Sequence, residues 1–297
     1  MHKSWSFGLA DIGLTAASCS AATTTIQNQG DASALAACQT FTGSIAIATG
    51  TTDNIELNGI RKISGSLIAN NVTQMNSFSA DSLATITDTF SLQSLTILTS
   101  LSFPALTSVD TLDWNVLNAL QSLSFSTDGV QTASSVSIQD TMLNSLDGIN
   151  LQEVDTMLIT NNNYLQTINM QLGNITKSLT IEANGNMVQI SLPDLDWAYN
   201  ITIRNASALD MPSLMSVNGS FGLYDNEFST VSFPNLTTVG QSFSFVSNTD
   251  LTNVSAPMLT TVDGGLQIAN NTKFSQIAFP DLKTIRGALD FYGNFTS

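Results

Sequence analysis

Apolar and polar residues alternate in short runs along most of the chain, and these runs recur at a nearly constant spacing. The segment "GGLQIANNTKFSQIAFPDLKTIRGALDF", residues 264–291, contains one such unit and the start of the next. Alternation with a period of two predicts β-strands whose side chains point to opposite faces. Taking the first apolar residue of each unit as a marker gives twelve positions, 20 to 24 residues apart. The markers are Ile45, Leu67, Phe90, Leu112, Val136, Leu158, Leu179, Ile201, Phe221, Phe243, Leu266 and Leu289.

The prolines support this repeat, because all of them fall in the same phase, after the second alternating run of a unit. They are Pro104, Pro193, Pro212, Pro234, Pro257 and Pro280. Proline cannot donate a hydrogen bond to a sheet, so its phase marks a recurring strand end. The pattern predicts an all-β fold over residues 43–297, a right-handed β-solenoid of about eleven coils of 20–24 residues. Equivalent strands are expected to pair in parallel, with equivalent apolar residues stacked inside.

Residues 18–42 precede the first coil and are predicted to form an N-terminal cap. The stretch "GDASALAACQT", residues 30–40, reads as a short helix that starts near Asp31 or Ser33 and ends near Cys38. A Cys19–Cys38 disulfide would close a loop of about 20 residues and contribute roughly 3 kcal/mol. Residues 1–17 are predicted to be a degraded or partial signal peptide.

Asparagines recur shortly after the markers, and two interpretations are open. Asn71, Asn162, Asn205 and Asn270 follow their markers by four positions. Asn184, Asn226, Asn248 and Asn294 follow by five. An inner subset is expected to turn inward and bond the free backbone groups of the bend. The alternative is that asparagine stands there only as a good turn former.

Charge narrows the range of partners. Eight basic and 23 acidic residues give a net charge of −15, which argues against nucleic acid and anionic membrane surfaces. Charged residues make up only 10% of the chain, so its polarity comes from Ser, Thr and Asn. No apolar run approaches the roughly 18 residues of a membrane-spanning helix.

Several phrases carry a family resemblance from about residue 18 to the end. A cysteine, a short helix with a second cysteine, and Gly-x-Ile-x-Ile opening a stack of degenerate leucine-rich coils resemble the receptor L domain. The phrases "ALAACQTFTGSIAIATGT", "LDGINLQEVDT", "LPDLDWAYNITI" and "GGLQIANNTKF" resemble the fungal GPI-anchored cell-wall organisation proteins of the extracellular-mutant thirty-three family. That family continues into a C-terminal cap and a GPI signal, whereas this sequence ends at "DFYGNFTS". We therefore expect a truncated product whose membrane contact would come only through an anchor absent from these residues.

The resemblance implies a secreted, non-enzymatic glycoprotein of the fungal cell wall and the outer face of the plasma membrane. Its implied role is cell-wall organisation and integrity, through binding or scaffolding of wall polysaccharide or mannoprotein. By analogy with L domains, receptor-like binding of a ligand is an alternative.

Nine N-x-S/T sequons fit a secreted glycoprotein. The expected acceptors are Asn71, Asn174, Asn200, Asn218, Asn235, Asn253 and Asn294. Asn205 and Asn270 are expected to be poorer acceptors because they coincide with the proposed inward positions, where no sugar could be attached.

Candidate chemistry is sparse. The only histidine is His2 and both cysteines are expected to be bridged, which argues against Ser-His and Cys-His nucleophiles and His-based metal sites. The alternative function is a glycan-acting β-helix enzyme that uses Asp194 and Asp196, although these residues also fit a plain turn. We predict no catalytic residue, cofactor or metal site.

Two further surface features have competing explanations. Asp110, Asp155 and Asp263 share one repeat phase and could line up as a Ca²⁺-binding stripe, or could simply occupy solvated turns. Trp197, Tyr199 and Tyr224 are candidates for stacking on sugars, whereas Trp114 lies at a strand position that fits the core.

Overall fold

The computed structural model describes residues 18–293, and almost all of its regular structure is β-strand. Within that range one helix is present, α1 (Gln29–Ala34). The strands of the first half are β1 (Ser20–Ile26), β2 (Thr40–Ile47), β3 (Ile55–Glu56), β4 (Lys62–Ile63), β5 (Leu67–Asn70), β6 (Ser77–Ser79), β7 (Thr85–Gln93), β8 (Ser100–Phe103), β9 (Ser108–Leu117), β10 (Ser124–Phe125), β11 (Ser135–Thr141), β12 (Glu153–Thr160), β13 (Thr167–Asn169) and β14 (Asn174–Glu182). Those of the second half are β15 (Val188–Ser191), β16 (Trp197–Arg204), β17 (Ala206–Asp210), β18 (Ser216–Val217), β19 (Phe221–Tyr224), β20 (Thr230–Ser232), β21 (Thr238–Val239), β22 (Phe243–Val246), β23 (Asn253–Ser255), β24 (Thr261–Val262), β25 (Leu266–Ala269), β26 (Gln276–Ala278), β27 (Thr284–Ile285) and β28 (Leu289–Tyr292).

The strands form one long sheet and three short ones. The long sheet, called the main sheet here, has 18 strands and includes β1, β2 and β28. The short sheets are β3-β6-β8-β10, β13-β15-β17 and β20-β23-β26. Strands pair in parallel with the equivalent strand one coil away, as in Phe221↔Phe243 and Phe243↔Leu266. The predicted all-β solenoid is therefore confirmed.

The pairing register confirms the marker column except at one coil. Val136 pairs with Met157, and Met157 pairs with Leu179, so the sixth marker is Met157 and the prediction of Leu158 was wrong. Met157 is buried and Leu158 is only half-buried. Adjacent strand residues face opposite sides, so an error of one residue selects the outward side chain.

Aromatic and aliphatic side chains from successive coils form a continuous core. Trp114 is fully buried and meets Phe90 edge-on, with ring centroids 5.7 Å apart. Further along the stack, the rings of Phe221 and Phe243 lie nearly parallel at 5.2 Å. Each buried side chain of this size contributes roughly 1.5–3 kcal/mol, and the shared core allows one coil to stabilise the next.

The prolines mark strand ends, as the repeat predicts. Each of the six lies in a turn within two residues of the end of a short-sheet strand; Pro104, for example, directly follows β8. The turn then leads back toward the main sheet.

The cap is built around the predicted disulfide between Cys19 and Cys38, whose Cα atoms are 5.5 Å apart. Asn28 caps α1 by accepting a hydrogen bond from the Asp31 N–H. The helix is shorter than expected, because turn residues carry the chain from Ala34 to Cys38. Strand β1 also pairs with β2, so the cap adds a strand to the main sheet.

The predicted signal peptide, residues 1–17, lies outside the described residues. Across residues 18–293 no helix has the length and apolar character needed to cross a membrane.

Candidate functional site

Five buried asparagines line the interior where the main-sheet strands of five coils end. This asparagine row consists of Asn162, Asn184, Asn226, Asn248 and Asn271. Asn248 shows the arrangement: its Oδ1 accepts from the Asn226 N–H at 3.0 Å, and its Nδ2 donates to the Leu223 carbonyl oxygen at 3.0 Å. The row therefore satisfies backbone groups that the bend leaves without sheet partners.

The inward subset differs from part of the prediction. Asn71, Asn205 and Asn270 are exposed and adopt the left-handed conformation, with φ of 56°, 58° and 57°. The residue after each one takes the inward place; Ala206, for example, follows Asn205 and interrupts the row. Asn162 does face inward, because its marker is Met157. Asn294 lies outside the described residues.

This placement removes the reason for ranking two sequons below the others. Asn205 and Asn270 are exposed, as are Asn71, Asn218 and Asn235, so all five can be reached from solvent. Glycosylation itself stays a prediction at every sequon.

The remaining described sequons are half-buried: Asn174, Asn200 and Asn253. Asn200 also joins two neighbouring coils, because its Oδ1 accepts from the Ser220 N–H at 2.9 Å and its Nδ2 donates to the Lys177 carbonyl oxygen at 3.4 Å. A glycan on Asn200 would have to be accommodated beside these contacts.

The three aromatic candidates do not form one site. Trp197 begins β16, and Tyr199 lies two residues further along the same strand. Tyr224 ends β19 and pairs with Arg204 at the opposite end of β16. The Arg204 guanidinium lies 4.4 Å from the centre of the Tyr224 ring, so one face of that ring already has a partner.

The acidic candidates mostly contact neighbouring coils. Asp110 accepts from the Ser134 hydroxyl at 2.6 Å, and Asp263 pairs with Arg286 at 3.2 Å. Asp194 is exposed in the turn after Pro193, and Asp196 is half-buried. Across residues 18–293, no three His, Cys, Asp or Glu side chains group so that they could hold a metal ion.

Asp155 has a perturbed pKa. Hydrogen bonds from Lys177, whose Nζ lies 2.8 Å from the carboxylate, and from the Thr176 hydroxyl lower the pKa of Asp155 below its usual range. Desolvation raises this pKa and the charge of Lys177 lowers it, and both effects are smaller than those of the two hydrogen bonds. Arg204 and Lys273 likewise pair with acids of adjacent coils. Much of the sparse basic charge therefore joins coils to one another.

An uncharged groove lies at the corner beyond β12 and β14. This Tyr164 groove is formed by residues 163–166 and 184–186, and has a volume of about 400 Å³. None of these residues is charged, and the Tyr164 side chain is 57% exposed. Sequence reasoning missed Tyr164, although the run "NNNY" marks a corner with an unusual density of polar side chains.

Together these features define a class of protein: a rigid parallel β-solenoid with polar, mostly uncharged surfaces and a disulfide in its N-terminal cap. No family model and no solved structure matches the chain. Curated relatives do match it. Protein ecm33 of Aspergillus fumigatus is 41% identical over 232 residues, which cover 78% of this chain and 58% of that protein. A cell surface GPI-anchored protein of Arthroderma benhamiae is 42% identical over 246 residues, covering 82% and 63%.

Cell wall mannoprotein PST1 of Saccharomyces cerevisiae is 39% identical over 221 residues, covering 74% of this chain and 49% of that protein. The chain belongs to this family of fungal GPI-anchored cell-wall proteins. It spans less than two thirds of the length of these relatives. The family is located at the fungal cell surface and wall; several relatives are named as wall or surface proteins, and none of these names is that of an enzyme.

Proposed function

We propose that the protein contributes to cell-wall organisation by binding neutral wall glycans, either polysaccharide or the sugar of mannoproteins, without cleaving them. The observation that carries this proposal is a row of amide side chains on the outer face of the main sheet. This amide row consists of Asn70, which is exposed, and Gln93, Asn115 and Gln139, which are half-buried; the Asn115 Oδ1 itself is buried.

The amide row is regular because its members occupy the same place in adjacent paired strands. Asn70 pairs with Gln93, and Asn115 pairs with both Gln93 and Gln139. Neighbouring strands lie about 4.8 Å apart, so amide groups recur at that spacing along the stack. A polymer of repeating hydroxyl-bearing units can meet such a row several times.

Hydrogen bonds within the face hold part of the row in place. The Gln93 Nε2 donates to Asp113 at 2.8 Å, and the Gln139 Nε2 donates to the Ser137 hydroxyl at 2.8 Å. Side chains that are already ordered lose less conformational entropy on binding. The face is therefore suited to weak contacts that repeat along a chain.

Charge supports a neutral ligand. No Lys or Arg occurs between Lys62 and Lys177, which includes the whole amide row. An anionic polymer would find no basic support on this face, and the net charge of −15 would repel it. Neutral glucan, chitin or mannan avoids both penalties.

Co-sedimentation with insoluble β-glucan and chitin, and capture on immobilised mannan, test the proposal. We expect the protein to be retained without any increase of soluble sugar over time. The double variant Gln93→Ala, Gln139→Ala should lose most of the retention, whereas Gln189→Ala, an exposed glutamine on a short sheet, should not. Sustained sugar release would instead indicate a glycan-acting enzyme, and no retention on any of the three materials would refute glycan binding.

A further inference from the structure

The Tyr164 groove combines an exposed aromatic ring with amide side chains on a rigid floor. We infer that it is a subsite for a pyranose unit of a neutral glycan; this inference rests on the proposed function and adds a second contact outside the amide row. Three features support this inference: the floor of the groove is rigid, its lining suits a neutral sugar, and the next coil leaves one end open.

The floor is rigid because two successive corners meet backbone to backbone. The Gly185 N–H donates to the Asn162 carbonyl oxygen at 2.9 Å. A Cβ atom on residue 185 would lie 2.5 Å from the Leu165 carbonyl oxygen, so only glycine permits this approach. Beneath it, Asn184 is buried and donates from its Nδ2 to the Ile159 carbonyl oxygen at 2.9 Å. The floor is thus anchored to the asparagine row.

The lining has the chemistry that a neutral sugar needs. Tyr164 offers a ring against which the C–H face of a pyranose can pack, and Asn163, Gln166 and Asn186 are exposed amides near it. Each amide can donate to one sugar hydroxyl and accept from another. Because the groove has no charged side chain, it favours neither an anionic nor a cationic ligand.

The following coil leaves one end of the groove open. Leu179 and Ile201 are 22 residues apart, whereas Ile201 and Phe221 are 20 apart. Strand β17 begins at Ala206, directly after the left-handed Asn205, so this coil has no loop that matches residues 185–187. The Ser207 hydroxyl donates to the Met187 carbonyl oxygen at 2.6 Å and braces the neighbouring loop. A glycan chain longer than the groove can therefore extend past the shorter corner.

The test uses short neutral oligosaccharides, a hexamer of β-1,3-glucose and a hexamer of N-acetylglucosamine. Because the amide row spans only about 14 Å, a hexamer can also cover the row, and the contribution of the groove is read from groove variants. Binding is measured by calorimetry or NMR titration on the whole chain. We expect Tyr164→Ala to weaken binding of at least one hexamer about tenfold and Tyr164→Phe to keep it within about twofold. Tyr292→Ala, which removes an exposed tyrosine outside the groove, should leave the affinity unchanged.

Far-UV circular dichroism of each variant checks that it is folded, and Asn186→Ala provides a second test that leaves Tyr164 in place. Equal affinities for wild type and both groove variants, or no binding of either hexamer by wild type at roughly 10 mM ligand, would overturn the inference. The proposed function is tested by a different result, the retention of wild type on insoluble polymer. If wild type is still retained on insoluble polymer, glycan binding stands and only this subsite is wrong.

Discussion

A buried asparagine in a solenoid corner acts as a replacement for missing sheet partners. In the asparagine row each side chain bonds a backbone N–H of the preceding coil and a backbone carbonyl of that same coil. Alanine at this place, as at Ala206, keeps the chain path but provides no such bonds. The cost of removing an asparagine is therefore that of leaving buried polar groups unpaired.

Asn248→Ala tests this reasoning. The substitution leaves the Asn226 N–H and the Leu223 carbonyl oxygen without their side-chain partner, so we expect a loss of about 2–4 kcal/mol in unfolding free energy. Urea unfolding followed by fluorescence measures the change. Gln189→Ala, at an exposed position, should stay within about 0.5 kcal/mol of wild type. Equal midpoints for the two variants would show that the row does not stabilise the fold.

The pKa of Asp155 provides a second residue-level test. Because Lys177 and Thr176 lower the folded-state pKa, their contribution to stability is complete above the usual aspartate pKa and is lost as the pH falls through the lowered value. Lys177→Met should raise the pKa of Asp155 toward its usual range, which NMR titration of the carboxyl carbon can measure. Lys273→Met, which removes the ion pair with Asp250, is the control and should leave Asp155 unchanged. An unaltered pKa in Lys177→Met would contradict the assigned cause.

At the scale of the element, the coil is a unit that depends on its neighbours. Strands of the main sheet pair on both sides, as β22 does with β19 and β25, while the short sheets repeat this pairing on another side of the stack. Ordering one coil costs roughly 1–2 kcal/mol per residue in backbone entropy, which its own core side chains do not offset. A coil is therefore stable only when it is stacked between neighbouring coils.

Removing one whole coil tests this dependence. Deletion of residues 221–242 joins Ser220 to Phe243 and lets β22 take the place of β19 beside β16. We expect a folded protein with an unchanged β-type circular dichroism spectrum and cooperative unfolding. Deletion of residues 221–231, which removes about half as much chain, should shift inward residues out of phase and prevent stable folding. If both deletions fold equally well, register between coils is not what specifies the structure.

The sequence predicted the elements well wherever spacing alone determined them. Strand period, marker spacing and proline phase located most strands, because core residues must coincide from coil to coil. It could not decide between neighbouring residues of similar type. Leu158 and Met157 are both apolar, and Asn270 and Asn271 are both asparagine; in each pair the backbone conformation determines which side chain is inside. Tyr164 was missed for the same reason, because a groove depends on how two corners pack.

At the scale of the whole molecule, the sequons are unevenly distributed. Eight of the nine lie at or beyond Asn174, and none lies between Asn71 and Asn174. The amide row and the Tyr164 groove fall largely within this sequon-free stretch. Glycans would therefore cover mainly the second half of the stack and leave Gln93, Asn115 and Gln139 accessible, whereas Asn71 adjoins Asn70 of the amide row and Asn205 lies beside the Tyr164 groove.

Glycopeptide mapping of protein secreted from a fungal host tests this arrangement. We expect Asn205 and Asn270 to be occupied as often as Asn71, because all three are exposed at equivalent corners. Asn174 should be occupied less often, since its Oδ1 is buried and has no hydrogen-bond partner among the described residues. Glycans on Asn174 but not on Asn205 or Asn270 would contradict the assigned exposures.

The most direct test of the central claim, that the solenoid binds neutral wall glycan through surfaces without basic side chains, is a binding isotherm on insoluble β-glucan, chitin and immobilised mannan at two salt concentrations. Neutral contacts predict saturable retention whose apparent Kd changes by less than about twofold between roughly 0.05 and 0.5 M NaCl. A change of about tenfold or more would identify a charged partner, as would retention only at low salt. Either of these results, or no retention at all, would contradict the account.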